Sequence, residues 1–157
     1  MDFPPSSGRI TIAAPLTQVY ELISDPVAMA AFAEETFKVR WLGRARRPAV
    51  GARFRGYNRN RWRLWWTTAT IIDLIPGRRF AYDVKTPFGV PISRWQYEVE
   101  ATDDGCTVTE TAWIRVPDWF IPFAIRITGR PDRPTANSTH IARTLRRLKE
   151  HVESARP

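Results

Sequence analysis

The chain has 157 residues, 43% hydrophobic and 25% charged, with a formal net charge of +8. That length holds one domain with a sizeable core, and a mean hydropathy of -0.35 argues for a soluble globular protein and against a disordered or membrane-spanning one. No apolar run approaches the roughly 20 residues of a membrane helix. The opening "MDFPPSSGRITI" lacks the basic-then-apolar pattern of a secretion signal, and the single cysteine, Cys106, excludes an internal disulfide framework, so a cytoplasmic location is expected.

In chain order, "SGRITIAAP" alternates Ile10 and Ile12 with polar residues and stops at Pro15, the pattern of an edge strand. Pro15 suits the first turn of a helix in which Leu16, Val19, Tyr20 and Ile23 share a face. Asp25-Pro26 reads as an N-cap followed by a first-turn proline, so a second short helix should run to about Phe32.

The period then falls to two. "FKVRWLG" sets Phe37, Val39 and Trp41 against Lys38 and Arg40, and "ARFRGYN" sets Phe54, Gly56 and Asn58 against Arg53, Arg55, Tyr57 and Arg59. "RLWWTTATIIDLIPGRRFAYDV" is a long strand, a Pro76-Gly77 turn and a returning strand. "SRWQYEVEATDDGCTVTETAWIRV" is a second hairpin around Asp103-Asp104-Gly105. "PDWFIPFAIRITG" breaks the alternation, "RPDRP" reads as a loop, and "TANSTHIARTLRRLKEHVESARP" is a final helix with Ile141, Leu145, Leu148 and Val152 on one stripe. One strand, two short helices, about six antiparallel strands and a long last helix make an α+β domain over residues 1–157.

The order and the local patterns resemble the START-like, polyketide cyclase/dehydrase-like (SRPBCC) superfamily. The matching stretches are "ITIAAPLTQVYELISDPVAMAAF", "VRWLG", "GARFRGYNR", "IIDLIPGRRFAY", "SRWQYEVE", "TVTET" and the last helix. The resemblance implies a helix-grip fold: a curved seven-stranded antiparallel sheet wrapped around the C-terminal helix, with a deep apolar cavity between them. It also implies a small hydrophobic ligand, lipid or polyketide-like. A minority of such proteins catalyse cyclisation or dehydration, so a cyclase or dehydratase is the alternative function.

Glu110 is the one ionisable side chain that stands out, because it shares parity with Val108 and Ala112 on the expected inward face. A carboxyl there should have a raised pKa and could serve as general acid or base, unless a strand slip or an arginine partner takes it outside. Asn58 shares the face of Phe54 and must be hydrogen-bonded by protein, water or ligand. Trp41, Trp65, Tyr82, Trp95 and Tyr97 fall on apolar faces, either as plain core or as pocket wall, with Thr67 beside Trp65 in parity. Trp119 and Phe123 belong to a segment read as a lid or pocket wall, a membrane contact, or a homodimer interface. On the last helix, Ile141 and Leu145 are expected to face the ligand, and His140, beside that stripe, to be a surface residue or to reach the pocket.

The stretch "GARFRGYNRNRWRLWW" carries five arginines and three tryptophans, with no acidic residue between Glu35 and Asp73. Its bland reading is a wet convex sheet face. A basic surface module for an anionic membrane or nucleic acid is the other, with nucleic acid disfavoured because no RRM, KH, zinc-finger or helix-turn-helix signature accompanies the charge. No cofactor or metal is implied: there is no phosphate loop, dinucleotide fingerprint or Cys/His cluster. His140 and His151 are three helical turns apart, about 16 Å, too far to share an ion.

Overall fold

A computed structural model describes residues 2–155. Seven strands, β1 (Ser6–Ile12), β2 (Thr36–Trp41), β3 (Arg53–Asn60), β4 (Arg63–Ile75), β5 (Arg79–Lys85), β6 (Pro91–Thr102) and β7 (Gly105–Ile114), form one antiparallel sheet. Its order is β1-β7-β6-β5-β4-β3-β2, so strands two to seven are a meander and β1 alone crosses over, to pair with β7. The β1–β2 connection holds α1 (Leu16–Ile23), α2 (Pro26–Met29) and a 3-10 turn at Ala30–Phe32. After β7 come a 3-10 turn at Asp118–Phe120, α3 (Ile121–Thr128) and α4 (Arg133–Ser154). The curved sheet grips α4, which is the α+β helix-grip arrangement.

The last helix is held by its stripe. Ile141, Leu145, Leu148 and Val152 recur at steps of four, three and four, and none is more than 2% exposed. Burial of each contributes roughly 1.5–3 kcal/mol. Gly8 on β1 lets the helix approach: a Cβ there would stand 2.6 Å from Ile141 Cγ2. Gly105 does the same where β7 starts beneath the end of β1, since a Cβ would run into the Ile12 carbonyl oxygen. At the other side of α4, Thr144 Oγ1 and Arg147 donate to the Phe32 carbonyl, at 3.2 and 3.3 Å, and tie down the turn before β2.

Two segments differ from the sequence reading. The apolar break at 117–129 is helical, ending at Gly129 in the left-handed region (φ 69°) that a helix C-terminus favours. The expected loop "RPDRP" is shorter than it reads, because α4 already begins at Arg133. Asp132 caps it, accepting from the Thr135 N–H at 3.2 Å and the Thr135 hydroxyl at 2.8 Å. Pro134 sits in the first turn, where a missing N–H leaves no bond unmade.

Candidate functional site

Between the concave face of the sheet, α3 and the N-terminal half of α4 lies a cavity of about 480 Å³. Strand register lays out its wall in rows. Phe80, Tyr97, Glu110 and Gly8 stand opposite one another across β5, β6, β7 and β1. The next row is Ile71, Tyr82, Trp95, Ala112 and Ser6. Beyond it run Phe54, Ala69, Val84, Ser93 and Ile114.

Glu110 is 3% exposed, and its Oε1 has no hydrogen-bond partner among the described residues. Burial pushes its carboxyl up to about 8, and hydrogen bonding to the cross-strand Tyr97 phenol only partly opposes that. The Tyr97 phenol is itself held well above its ordinary range by burial and by the charge Glu110 would carry. Tyr82 shifts the same way for the same reasons. At neutral pH all three groups are therefore mainly uncharged, and the carboxyl can donate as well as accept.

Asn137 on α4 is another buried polar residue on the wall, 3% exposed. Ser6 Oγ donates to the Pro134 carbonyl at 3.1 Å, and Ile141 packs under Gly8. Asn137 lies between those two contacts, so it stands at the level of Ala112 and Glu110, their strand partners. The sequence carries a signal for it: continued back one turn from Ile141, the apolar stripe of α4 reaches an amide.

The cavity is lined by Phe54, Asn58, Trp65 and Thr67 from β3 and β4, and by Tyr82, Trp95 and Tyr97 from β5 and β6. Asn58 is satisfied within the protein. Thr36 donates to its Oδ1 at 2.6 Å, and its amide makes long contacts to the Gly56 carbonyl (3.4 Å) and Thr67 Oγ1 (3.5 Å). The Trp95 indole donates to Ser93 Oγ at 2.9 Å.

Five of the expected ligand contacts are not among the lining residues. Trp41 lies on the edge strand and packs edge-on against Phe54 (5.9 Å), which lines the cavity in its place. Ile141 and Leu145 fill the contact that Gly8 opens between α4 and β1. Trp119 and Phe123 point to solvent, 64% and 57% exposed, because the opposite side of their segment, with Phe120, Ala124 and Ile125, faces the cavity.

At the rim, Glu35 is clamped by Arg133 (2.7 Å) and Arg130 (3.3 Å), with His140 Nδ1 at 3.7 Å. His140 is half-buried in the rim, and burial pulls its pKa below the ordinary value against the pull of Glu35. On the convex face Arg53, Arg55 and Arg59 alternate with the inward Phe54, Gly56 and Asn58. Lys38 lies over the Tyr57 ring at 5.6 Å and Arg59 over Phe37 at 5.4 Å. None of the basic residues from 38 to 63 has an acidic partner among the described residues. Cys106 is buried, which raises its thiol pKa. No three His, Cys, Asp or Glu side chains come together as a metal site among the described residues.

Similarity to known proteins agrees with this architecture. No curated protein matches the chain. Among solved structures, a Polyketide_cyc-like protein from Corynebacterium glutamicum is 28% identical, with a TM-score of 0.63 over 95% of this chain and 91% of its own. The di-domain ARO/CYC proteins StfQ, of the steffimycin pathway, and BexL, of the BE-7585A pathway, superpose with TM-scores of 0.73 and 0.72 at 13% and 20% identity. This chain covers 96% and 98% of itself in those two superpositions, and spans 50% and 51% of their lengths. The family model described as polyketide cyclase / dehydrase and lipid transport matches from residue 6 to residue 153, almost the whole helix-grip unit, and the chain belongs to that family.

Proposed function

We propose that the protein binds one small, mainly apolar molecule, polyketide-like or lipid, with an uncharged oxygen group at one end. The observation that carries this reading is a buried carboxyl with an unpaired oxygen on the wall of an aromatic and aliphatic cavity. A volume of about 480 Å³ is within the usual range for small-molecule sites. An unpaired buried polar atom costs roughly 1–3 kcal/mol, which a ligand carbonyl or hydroxyl at Glu110 would recover. Apolar burial against Phe54, Trp65, Tyr82 and Trp95 would supply affinity, and the polar end would supply orientation.

A simple pair of probes tests this. 2-Naphthol should bind several-fold more tightly than naphthalene, and Glu110→Leu should remove the preference. Ala69→Phe, which places a ring in the cavity, should remove binding of both. Equal binding of the two probes, or unchanged binding in Ala69→Phe, would overturn the reading.

A second reading, a cyclase or dehydratase, is favoured by one property of the same residue. A carboxyl poised near 8 beside a phenol can give and take a proton at neutral pH. On that reading Glu110 is the acid/base, and Tyr97 or Tyr82 orients the substrate carbonyl. Glu110→Gln should then abolish turnover of a poly-β-keto thioester while leaving 2-naphthol binding intact. Retained turnover would remove Glu110 from the chemistry.

A further inference from the structure

α3 carries apolar side chains on both of its faces. Its inner side, with Ile121, Ala124 and Ile125, lines the cavity, while its outer side presents Phe123 and Ile127, 57% and 42% exposed. A helix that is apolar all round needs an apolar environment on each side. The neighbouring elements extend the outer face. Trp119 precedes α3, and Phe88 (73% exposed) stands on the β5–β6 loop in ring contact with Phe120. Phe88 and Ile127 also border the cavity, so this patch lies beside its mouth.

Basic residues outnumber acidic ones around the patch: Asp118 beside Trp119 is exposed, and Glu35 at the rim is paired with Arg130 and Arg133. Neither residues 36–72 nor residues 119–131 contain an acidic residue. Arg63 binds the Arg126 carbonyl at 3.1 Å and lies under Gly129, which fastens the β3–β4 turn to the end of α3. That turn carries exposed Arg61 and Trp62, the indole of Trp62 lying under the Arg63 guanidinium at 4.3 Å. Tryptophan and arginine around an apolar centre fit the headgroup layer of an anionic bilayer, where amphipathic rings sit at the interface and guanidinium groups meet phosphate. No helix among the described residues is long and apolar enough to cross a membrane, so the contact is with the surface.

We infer that the outer face of α3, with Phe88 and Trp119 beside it, docks on an anionic lipid surface and presents the cavity mouth to it. An apolar ligand would then pass between bilayer and cavity without crossing water. The docking claim does not depend on what the cavity holds.

The test is co-sedimentation with phosphatidylcholine vesicles, with and without one third phosphatidylglycerol. Binding is expected only to the anionic vesicles and should weaken steeply as salt is raised. Arg61→Gln and Arg126→Gln should each weaken it roughly fivefold. Trp119→Ser combined with Phe123→Ser, neither of which lines the cavity, should abolish it while leaving the unfolding temperature and 2-naphthol binding in place. Equal sedimentation with neutral and anionic vesicles, or none with either, would overturn the proposal. So would a concentration-dependent dimer that the Trp119→Ser, Phe123→Ser variant dissolves, because the patch would then be occupied by a second copy.

Discussion

Replacing Glu110 by glutamine keeps the shape of the side chain and removes its ionisation. In the folded protein the carboxyl has a pKa of about 8, against an ordinary value of 4.5. The folded state therefore holds this proton more tightly than the unfolded chain does, and unfolding releases it. Stability falls as pH rises from about 4.5 to about 8 and levels off above that. Over the window the loss approaches about 5 kcal/mol, with about 3 kcal/mol already present at pH 7 and about 1 kcal/mol at pH 5. Glu110→Gln escapes the loss. Urea unfolding followed by tryptophan fluorescence should show wild type and variant diverging from pH 5 to pH 9, with the variant increasingly the more stable. Parallel pH profiles would refute the reasoning, because they would mean that the carboxyl is solvated or paired with a cation in the folded state.

Substitutions at four further positions test the packing and the capping of α4. Gly105→Ala should cost more than the roughly 1–3 kcal/mol usual for overpacking, and more than Gly8→Ala, because it meets the Ile12 backbone rather than the Ile141 side chain; comparing the two unfolding midpoints checks this. Leu148→Ala, at a fully buried position between α4 and the sheet, should lose about 2–5 kcal/mol in urea titration. Asp132→Ala should lose about 1 kcal/mol, and Asp132→Asn should recover most of it, because the amide oxygen still caps α4.

Much of the sheet was legible because strand alternation is a local rule. The parity of Phe54, Tyr97 and Glu110 put each on the concave face, and Trp65 followed because no bulge interrupts β4 until Ile71 and Asp73. The same parity also selected Trp41, but parity does not say that β2 is an edge strand. Ile141 and Leu145 were read correctly as the inner stripe of α4, yet a stripe does not reveal that Gly8 draws the helix against β1 just there. α3 was hidden by its surroundings: Pro117 just before it and Pro122 in its first turn, with apolar residues on both of its faces, read as a break in the strand pattern rather than as a helix. The Glu35 clamp joins residues 95 or more positions apart, a contact that only the closed fold supplies. Asn137 was open to discovery as the polar break in an otherwise apolar stripe.

The central claim is that the cavity between sheet and α4 holds an apolar molecule. Native mass spectrometry of the protein taken from its own host, followed by extraction and identification of anything bound, tests it most directly. One equivalent of an apolar compound bearing a carbonyl or hydroxyl is expected, with that adduct lost in Ala69→Phe. A bare protein that also fails to take up 2-naphthol would contradict the claim.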